Sequence, residues 1–334
     1  MKISLLIIII VAEVITIIFV GINIYYKHTA NFTASISPLS REGLVFNHES
    51  ELEYFYEPGP ADESSYIPPW LPYKPKFTIN SDTLNDRFEY SIDKPEDTFR
   101  IISLGDSWAY GQFVHTENNF SEVLEDLLND ELECGVYKKF EVINLGVPSY
   151  DIKYSVERFK RRGAKYDPDL VIWLLIENDF SEINEFIMPR SDFYIKQMQA
   201  NGELSINKEE FSNAWTQFEK PAQAWLMAIQ DQYKELGGEE NISKYQETAL
   251  HSIYDYYKNT LMIFTLPYGS KIGENNNATL ERFARVQAGT YFYESLIDFG
   301  DALLPDGHPS IEGHRLIAND LFEYLTENNI IPCD

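Results

Sequence analysis

The sequence contains little cysteine, with only Cys134 and Cys333 among its 334 residues. Neither of them stands at the spacing of a metal site, which excludes a zinc knuckle and a redox-active Cys-X-X-Cys motif. If the domain is exported, the pair can form one disulfide that ties the C-terminal tail to the core. Two separate buried thiols are the alternative, because the sequence does not establish the geometry that a disulfide requires.

Basic residues are also scarce. The chain has 27 lysines and arginines against 53 aspartates and glutamates, a formal net charge of −26. Proteins that follow a phosphate backbone concentrate lysine and arginine where the polyanion lies, so nucleic acid is not expected as a partner. Docking on anionic lipid headgroups is disfavoured for the same reason. No histidine pair or carboxylate cluster has metal-ligand spacing, and neither a metal nor a cofactor is expected.

The rest of the composition is that of a folded globular protein. Hydrophobic residues make up 44 % of the chain and aromatic residues 14 %, while the 17 glycines and 16 prolines are ordinary numbers. The length favours one sizeable α/β domain with extensions over two large domains.

Residues 3–24 form an apolar run long enough for a helix to cross a bilayer core of about 30 Å. The carboxylate of Glu13 costs about 2.5–3.5 kcal/mol there, but the Ile, Leu, Val and Phe residues contribute about −0.3 to −0.6 kcal/mol each and outweigh it. The run lacks a small-residue cleavage site, so residues 1–27 are predicted to be an uncleaved transmembrane signal-anchor. Lys2 and Lys27 flank it on opposite sides and do not fix its orientation. We expect the rest of the chain to be extracytoplasmic, the common topology of a single N-terminal anchor.

Residues 28–97 form an N-terminal extension rich in proline and aromatic residues, densest in PGPADESSYIPPWLPYKPKF. Its X-Pro steps favour extended or turn conformations over helix. The extension is either a strap that lies on the folded domain that follows it or a solvated stalk. Tyr66, Trp70 and Tyr73 favour the strap, because a stalk would leave these apolar rings in water.

From residue 98 to residue 334, apolar runs alternate with amphipathic segments. The runs FRIISLGDS, FEVINLG, DLVIWLLIEND, TLMIFTLP and TYFYESLID are predicted strands, the last of them at an edge, and NFSEVLEDLLND, SVERFKRRGAKY and TLERFARVQAG are predicted helices. Because the strands are continuously apolar, they predict a mostly parallel sheet covered on both faces. The fold class is therefore α/β, a three-layer α/β/α sandwich.

A long segment at about 181–258 interrupts this alternation. It is rich in Gln, Glu, Trp and Tyr at helical spacing and is too long for a bare loop in a compact domain. We interpret it as a helical insertion, either a lid that shapes the substrate site or a packing elaboration without substrate contact.

Polar residues with catalytic potential follow the predicted strands, at the edge where parallel sheets bind ligands. They are Gly105, Asp106 and Ser107 after the first strand, Gly146 after the second, Asn178 and Asp179 after the third, and Asp306 and His308 in the C-terminal DGHPSIEGH. Together they supply what ester hydrolysis needs: a nucleophile, a base, an orienting carboxylate and donors for the oxyanion.

Ser107 is the predicted nucleophile, His308 the base that takes its proton, and Asp306 the group that fixes the imidazole tautomer. The backbone N–H groups of Ser107 and Gly146 and the side-chain amide of Asn178 are the predicted oxyanion hole. Each such donor is worth roughly 10²–10³ in rate.

These four blocks, in this order, resemble the SGNH (GDSL-like) hydrolase family over roughly residues 99–325, and TINSDTLNDRFEYSIDKPEDTFRI resembles the lead-in of many bacterial members. The resemblance implies a flavodoxin-like sheet and a covalent acyl-serine intermediate. Two positions depart from the family pattern. Ile176 stands where the third block has glycine, and Pro305 stands where the last block has aspartate, so the carboxylate falls at Asp306. Either the turn adapts, or a Ser–His dyad operates with a backbone carbonyl.

The sequence thus predicts a serine esterase that cleaves O-acyl bonds of small-molecule or glycan substrates. The predicted anchor points to glycans of the cell envelope. An O-acyltransferase would use the same groups and is the first alternative. A binding module that kept the fold without catalysis is the second.

The other polar residues receive structural interpretations. Asp106 braces the nucleophile turn, Asp179 stabilises the third block, and His314 lies at the start of the last helix. Trp108 and His115 pack rather than line the cleft. The basic run, consisting of Arg158, Lys160, Arg161, Arg162 and Lys165, is interpreted as a solvated helix face.

Overall fold

The computed structural model describes residues 44–333 apart from 48, 53, 60–66, 69, 203–214 and 267–270. The predicted anchor, residues 1–27, lies outside the described residues, as do the first part of the extension and Tyr66. Within the described ranges, no helix combines the length and the apolar character needed to cross a bilayer.

Two short strands belong to the extension and five to the catalytic domain. The strands are β1 (Leu44–Phe46), β2 (Tyr56–Pro58), β3 (Thr98–Leu104), β4 (Lys139–Asn144), β5 (Leu170–Leu175), β6 (Thr260–Thr265) and β7 (Thr290–Glu294). The pair β1–β2 is antiparallel, and the other five form one parallel sheet in the order β4-β3-β5-β6-β7. In this flavodoxin-like order, the chain passes from β3 to β4 on one side and then to β5 on the other side of β3. The end of β3 is therefore the switch point where such sheets bind ligands.

Helices cover both faces of the parallel sheet. They are α1 (Ser107–Tyr110), α2 (Phe120–Asp130), α3 (Ile152–Arg158), α4 (Glu177–Ser181), α5 (Asn184–Ala200), α6 (Trp215–Leu236), α7 (Glu239–His251), α8 (Lys271–Val286) and α9 (Ile311–Glu327). One apolar cluster joins the sheet to α3, α7 and α8, and a second joins it to α2 and α9. Successive residues of β5 fall into alternate clusters, which places one cluster on each face. The three-layer α/β/α prediction is confirmed.

The helical insertion consists, in its described part, of α5, α6 and α7. The chain enters it through Ile183, whose N–H donates to Gln232 Oε1 of α6 at 2.7 Å. At the start of α5, Asn184 Nδ2 donates to the Ser149 carbonyl at 2.6 Å. The insertion therefore contacts the loop that follows β4, at the carboxyl edge of the sheet.

The basic run after β4 is not the solvated helix face that the sequence predicted. The Arg158 side chain is 0 % exposed and pairs with Glu57 of the extension. It also donates to Thr83 Oγ1 at 2.7 Å, while Arg162 reaches both Glu57 and Asp82. Helical periodicity missed this because the counter-charges come from a segment about 80–105 positions earlier in the chain.

The two cysteines form a disulfide, which settles the alternative that the sequence left open. The Cα atoms of Cys134 and Cys333 are 4.6 Å apart, and the Gly135 N–H donates to the Cys333 carbonyl at 3.1 Å. The bond attaches the segment after α9 to the segment after α2, across a loop of 199 positions.

Candidate active site

The nucleophile turn lies at the end of β3. Gly105 has φ +152°, and a Cβ there would lie 2.7 Å from the Leu174 carbonyl oxygen, so the turn needs glycine. Asp106 caps α1 by accepting the Trp108 N–H at 2.9 Å. The chain is thereby fixed on both sides of Ser107, the first residue of α1.

His308 reaches Ser107 from the far end of the chain. The distance from His308 Nε2 to Ser107 Oγ is 2.9 Å, although 201 positions separate the two residues. On the other side of the ring, His308 Nδ1 lies 3.0 Å from Asp306 Oδ2. With the proton on Nδ1, the imidazole donates to the carboxylate and accepts from the serine hydroxyl, as a general base for that hydroxyl must.

The turn before His308 accommodates the shifted aspartate. Gly307 has φ +95°, and the His308 carbonyl accepts the Leu304 N–H at 2.7 Å. Asp306 Oδ1 accepts the backbone N–H of His308 at 3.2 Å while Oδ2 faces the ring. The turn therefore brings the shifted Asp306 carboxylate within hydrogen-bond distance of the His308 ring.

Asn178 and Asp179 lie in α4, directly after β5, the neighbour of β3 in the sheet. Asp179 Oδ2 accepts the Ile176 N–H at 2.8 Å, so Asp179 stabilises the turn. Burial and the charge of Asp106 raise the pKa of Asp179 well above its usual range. The Oδ1 atom of Asn178 is buried without a hydrogen-bond partner among the described residues.

Gly146, a predicted oxyanion donor, lies in the loop after β4. The Gly146 N–H donates to Asn144 Oδ1 at 2.9 Å and is therefore already engaged. A Cβ at this position would lie 2.2 Å from the Tyr110 backbone nitrogen and 2.5 Å from the Ala109 carbonyl carbon. The glycine instead allows the loop after β4 to approach α1. Sequence reasoning assigned no role to Asn144, which holds the Gly146 N–H.

Burial also affects the carboxylate next to the nucleophile. Asp106 is 2 % exposed, and desolvation raises its pKa to about 6 although the Trp108 N–H and His308 oppose the shift. The two carboxylate oxygens of Asp106 have different contacts. Oδ1 accepts the Trp108 N–H that caps α1, and Oδ2 lies 3.3 Å from Ser107 Oγ. The interpretation of Asp106 as a brace of the turn agrees with these contacts.

His314 and His115 pack against aromatic rings. His314 is fully buried and stacks on Phe120, and its Nδ1 accepts the Phe120 N–H at 3.3 Å. Burial and the nearby His308 lower the pKa of His314 to about 3, so its ring is neutral. His115 stacks on Tyr73 of the extension. Among the described residues, no group of three His, Cys, Asp or Glu side chains is placed to hold a metal ion.

A serine, a histidine and an aspartate in hydrogen-bonded succession, at the switch point of a parallel α/β sheet, define the class of the serine hydrolases. The chain belongs to the GDSL-like lipase/acylhydrolase family, whose pattern matches residues 101–321. It is accordingly an ester hydrolase. The match begins within β3 and ends within α9, so it includes all the predicted catalytic residues.

Several solved structures resemble the chain. The psychrotrophic esterase EstA from Pseudoalteromonas sp. is 16 % identical, with 69 % of this chain and 98 % of that chain covered and a TM-score of 0.39. A family two carbohydrate esterase from Clostridium thermocellum is 14 % identical, with 71 % and 66 % covered and a TM-score of 0.39. A two-domain esterase active on acetylated mannans is 14 % identical, with 71 % and 52 % covered and a TM-score of 0.41. A search of the curated proteins found no match.

Proposed function

We propose that Ser107, His308 and Asp306 hydrolyse an O-acyl ester through a covalent acyl-Ser107 intermediate. The observation that carries this proposal is the continuous contact from Ser107 Oγ to His308 Nε2, 2.9 Å, and from His308 Nδ1 to Asp306 Oδ2, 3.0 Å. His308 is 5 % exposed, so water competes little for either ring nitrogen.

The reaction follows from these contacts. His308 Nε2 takes the Ser107 hydroxyl proton as Oγ attacks the ester carbonyl carbon, and the carbonyl electron pair moves onto oxygen. When the tetrahedral intermediate collapses, the C–O bond to the alcohol breaks and His308 returns the proton to that alcohol. Water then gives a proton to His308 and attacks the acyl carbon. The bond from that carbon to Ser107 Oγ breaks, the carboxylic acid leaves, and His308 returns the proton to Oγ.

The proposed oxyanion donors are the Ser107 N–H and the Asn178 amide. Both stand at the carboxyl ends of adjacent strands, Ser107 after β3 and Asn178 after β5. The Gly146 N–H, which donates to Asn144, is left out of this set. If Asn178 is a donor, Asn178→Ala lowers kcat by roughly 10²–10³.

The proposed substrate is an O-acylated glycan of the cell envelope. The proposed location of the catalytic domain is outside the cytoplasm, attached to the membrane by an N-terminal helix. The apolar run at residues 3–24 supports the anchor. The bond between Cys134 and Cys333 supports export, because structural disulfides persist in oxidising compartments. A glycan substrate is inferred from that location.

Two experiments test these proposals. A fluorophosphonate probe should label the wild-type protein and leave Ser107→Ala unlabelled, while Asp301→Asn, an exposed carboxylate in the same loop as Asp306, should label normally. Absence of labelling in folded wild type would contradict the serine mechanism. Acetyl, butyryl and longer aryl esters, followed by acetylated glycans, define the substrate. Transfer of the acyl group to an added sugar instead of water would reveal the transferase, which the family match does not favour.

A further inference from the structure

A ring outside the catalytic triad packs directly on the catalytic imidazole. Phe113, in the segment between α1 and α2, lies edge-to-face with His308, with ring centroids 5.3 Å apart and an interplanar angle of 88°. This separation falls in the range of favourable aromatic pairs. Phe113 is 2 % exposed, so its ring is enclosed together with the imidazole.

The backbone of Phe113 adopts a conformation that this residue type rarely accepts. Its φ is +71°, in the left-handed region. Such a conformation costs on the order of 1–3 kcal/mol and persists only where the surroundings enforce it. A strained aromatic residue against a catalytic side chain requires a restraint from elsewhere in the protein.

The N-terminal extension supplies that restraint. The half-buried Trp70 meets Phe113 edge-to-face, with ring centroids 5.3 Å apart and an angle of 76°. The Tyr73 hydroxyl donates to the Phe113 carbonyl at 2.9 Å. The extension therefore holds both the ring and the backbone of Phe113.

Further contacts join the extension to the residues just after Phe113. Tyr73 stacks on His115 at 5.3 Å, and the Lys76 N–H donates to His115 Nδ1 at 3.0 Å. The Thr116 N–H donates to the Lys76 carbonyl at 3.1 Å. These bonds pair the two segments side by side, directly after Phe113.

We infer that residues 70–78 of the extension are a positioning element of the active site, which acts on His308 through Phe113. The inference rests on the proposed function. His308 lies on a turn, and its imidazole needs support against rotation away from Ser107 besides the bond to Asp306. Phe113 provides it, and Trp70 and Tyr73 hold Phe113 in place. A misplacement of about 1 Å in a catalytic group costs roughly 10² in rate.

The test compares variants along this path. Phe113→Ala removes the ring that contacts His308, and Trp70→Ala removes the ring behind it. Trp70→Phe keeps an aromatic edge and is the rescue variant. Tyr73→Phe removes only the hydroxyl. Phe88→Ala is the matched control, because that 46 % exposed ring also belongs to the extension but packs on Tyr90 and Arg87.

Three readouts separate positioning from general stability. They are kcat and KM on an aryl acetate, the second-order rate of fluorophosphonate labelling of Ser107, and the downfield proton signal of His308 Nδ1–H. We expect Phe113→Ala to lower kcat and the labelling rate by roughly 10- to 100-fold, with KM within about twofold of wild type. Trp70→Ala should lower kcat and the labelling rate by about 3- to 10-fold. The downfield signal should broaden in both, while Trp70→Phe and Phe88→Ala stay near wild type.

The outcomes distinguish this inference from the function on which it rests. If wild type itself does not label, the serine mechanism fails. If wild type labels and folded Trp70→Ala and Phe113→Ala keep its kcat, labelling rate and proton signal, the positioning role fails. Should Phe113→Ala not fold, the half-buried Trp70 position decides: a loss of kcat that Trp70→Phe restores supports the inference, and an unchanged kcat overturns it.

Discussion

Glu57 of the extension and Arg158 of α3 form an ion pair whose side chains are 6 % and 0 % exposed. Burial alone would raise the pKa of Glu57, but the hydrogen bonds and charges of Arg162 and Arg158 outweigh it and lower the pKa to about 2. A carboxylate with a lowered pKa stabilises the fold at every pH above its unfolded value. The pair thus attaches the extension to the catalytic domain at neutral pH.

We expect Glu57→Gln to lower the free energy of unfolding by roughly 3–5 kcal/mol at pH 7, because it leaves the Arg158 charge buried without its counter-charge. The difference from wild type should shrink as the pH falls from about 4.5 towards 2, where Glu57 itself becomes neutral. Urea unfolding at pH 7 and pH 3 measures both effects. Glu312→Gln, in an exposed pair with Arg315, should unfold at nearly the same urea concentration as wild type. Equal losses in the two variants would contradict the prediction.

A second set of contacts between the extension and the catalytic domain is expected to stabilise the fold more at low pH than at high pH, the opposite of the Glu57–Arg158 pair. Tyr90 donates to Asp86 and Glu125, and the Arg87 guanidinium pairs with Glu122 and Asp126. Burial raises the pKa of Asp86 well above its usual range. Burial and the charge of Glu122, opposed by the Val142 N–H, raise that of Glu125 to about 7. Raised carboxyl pKa values mean that the folded state binds protons more tightly than the unfolded state.

Protonation of Glu125 stabilises the folded state fully below pH 4.5, and this stabilisation is lost as the pH rises to about 7. The loss in the free energy of unfolding is roughly 3 kcal/mol. We expect the free energy of unfolding to fall less between pH 5 and pH 8 in Glu125→Gln than in wild type. Urea unfolding across this range measures the two slopes. Equal slopes would show that Glu125 titrates normally in the folded protein.

The orienting carboxylate can be tested at Asp306. We expect Asp306→Asn to lower kcat by roughly 10²- to 10⁴-fold with little change in KM, because the amide no longer stabilises the imidazolium or selects the tautomer with Nδ1–H. Steady-state kinetics on an aryl ester give both constants. The Asp301→Asn control should match wild type. Full activity of Asp306→Asn would instead favour a Ser–His dyad.

Replacement of Gly146 by a larger residue is expected to disturb the packing of the loop after β4 against α1. The added methyl group of Gly146→Ala would lie 2.2 Å from the Tyr110 nitrogen and displace α1, which carries Ser107. We expect a loss of roughly 1–3 kcal/mol in unfolding free energy together with reduced kcat. Gly202→Ala, where the added carbon would have no neighbour within 4 Å among the described residues beyond those adjacent in the chain, should keep kcat. Wild-type thermal stability and kcat in Gly146→Ala would contradict the close approach.

The disulfide is expected to stabilise the domain. Closing a loop of 199 positions restricts the unfolded chain, so Cys333→Ser should lose roughly 2–5 kcal/mol. Thermal unfolding with and without dithiothreitol measures this, and the reductant should lower the Tm of wild type to that of the variant. If the Tm of wild type does not respond to complete reduction, the bond contributes nothing to stability.

Several features could be predicted from the sequence because they are local. Continuous apolar runs identified the strands, and the burial of β5 on both faces is what such a run requires. The nucleophile and its base were predicted because each lies in a short motif with characteristic chemistry. The start of α8 was missed: the structure begins it at Lys271, whereas apolar periodicity begins only near residue 279.

The sequence by itself determined the parallel α/β fold and the class of reaction, and it predicted Ser107, Asp306 and His308 as the catalytic residues, since these depend on periodicity and on the order of motifs along the chain. Only the tertiary structure decided that Arg158 is buried, that the Gly146 N–H is engaged, and that Phe113 packs on His308. These features depend on which distant segments meet. Local patterns predict which apolar residues are buried, but the partner that satisfies a buried charge, hydrogen bond or ring is fixed by chain topology.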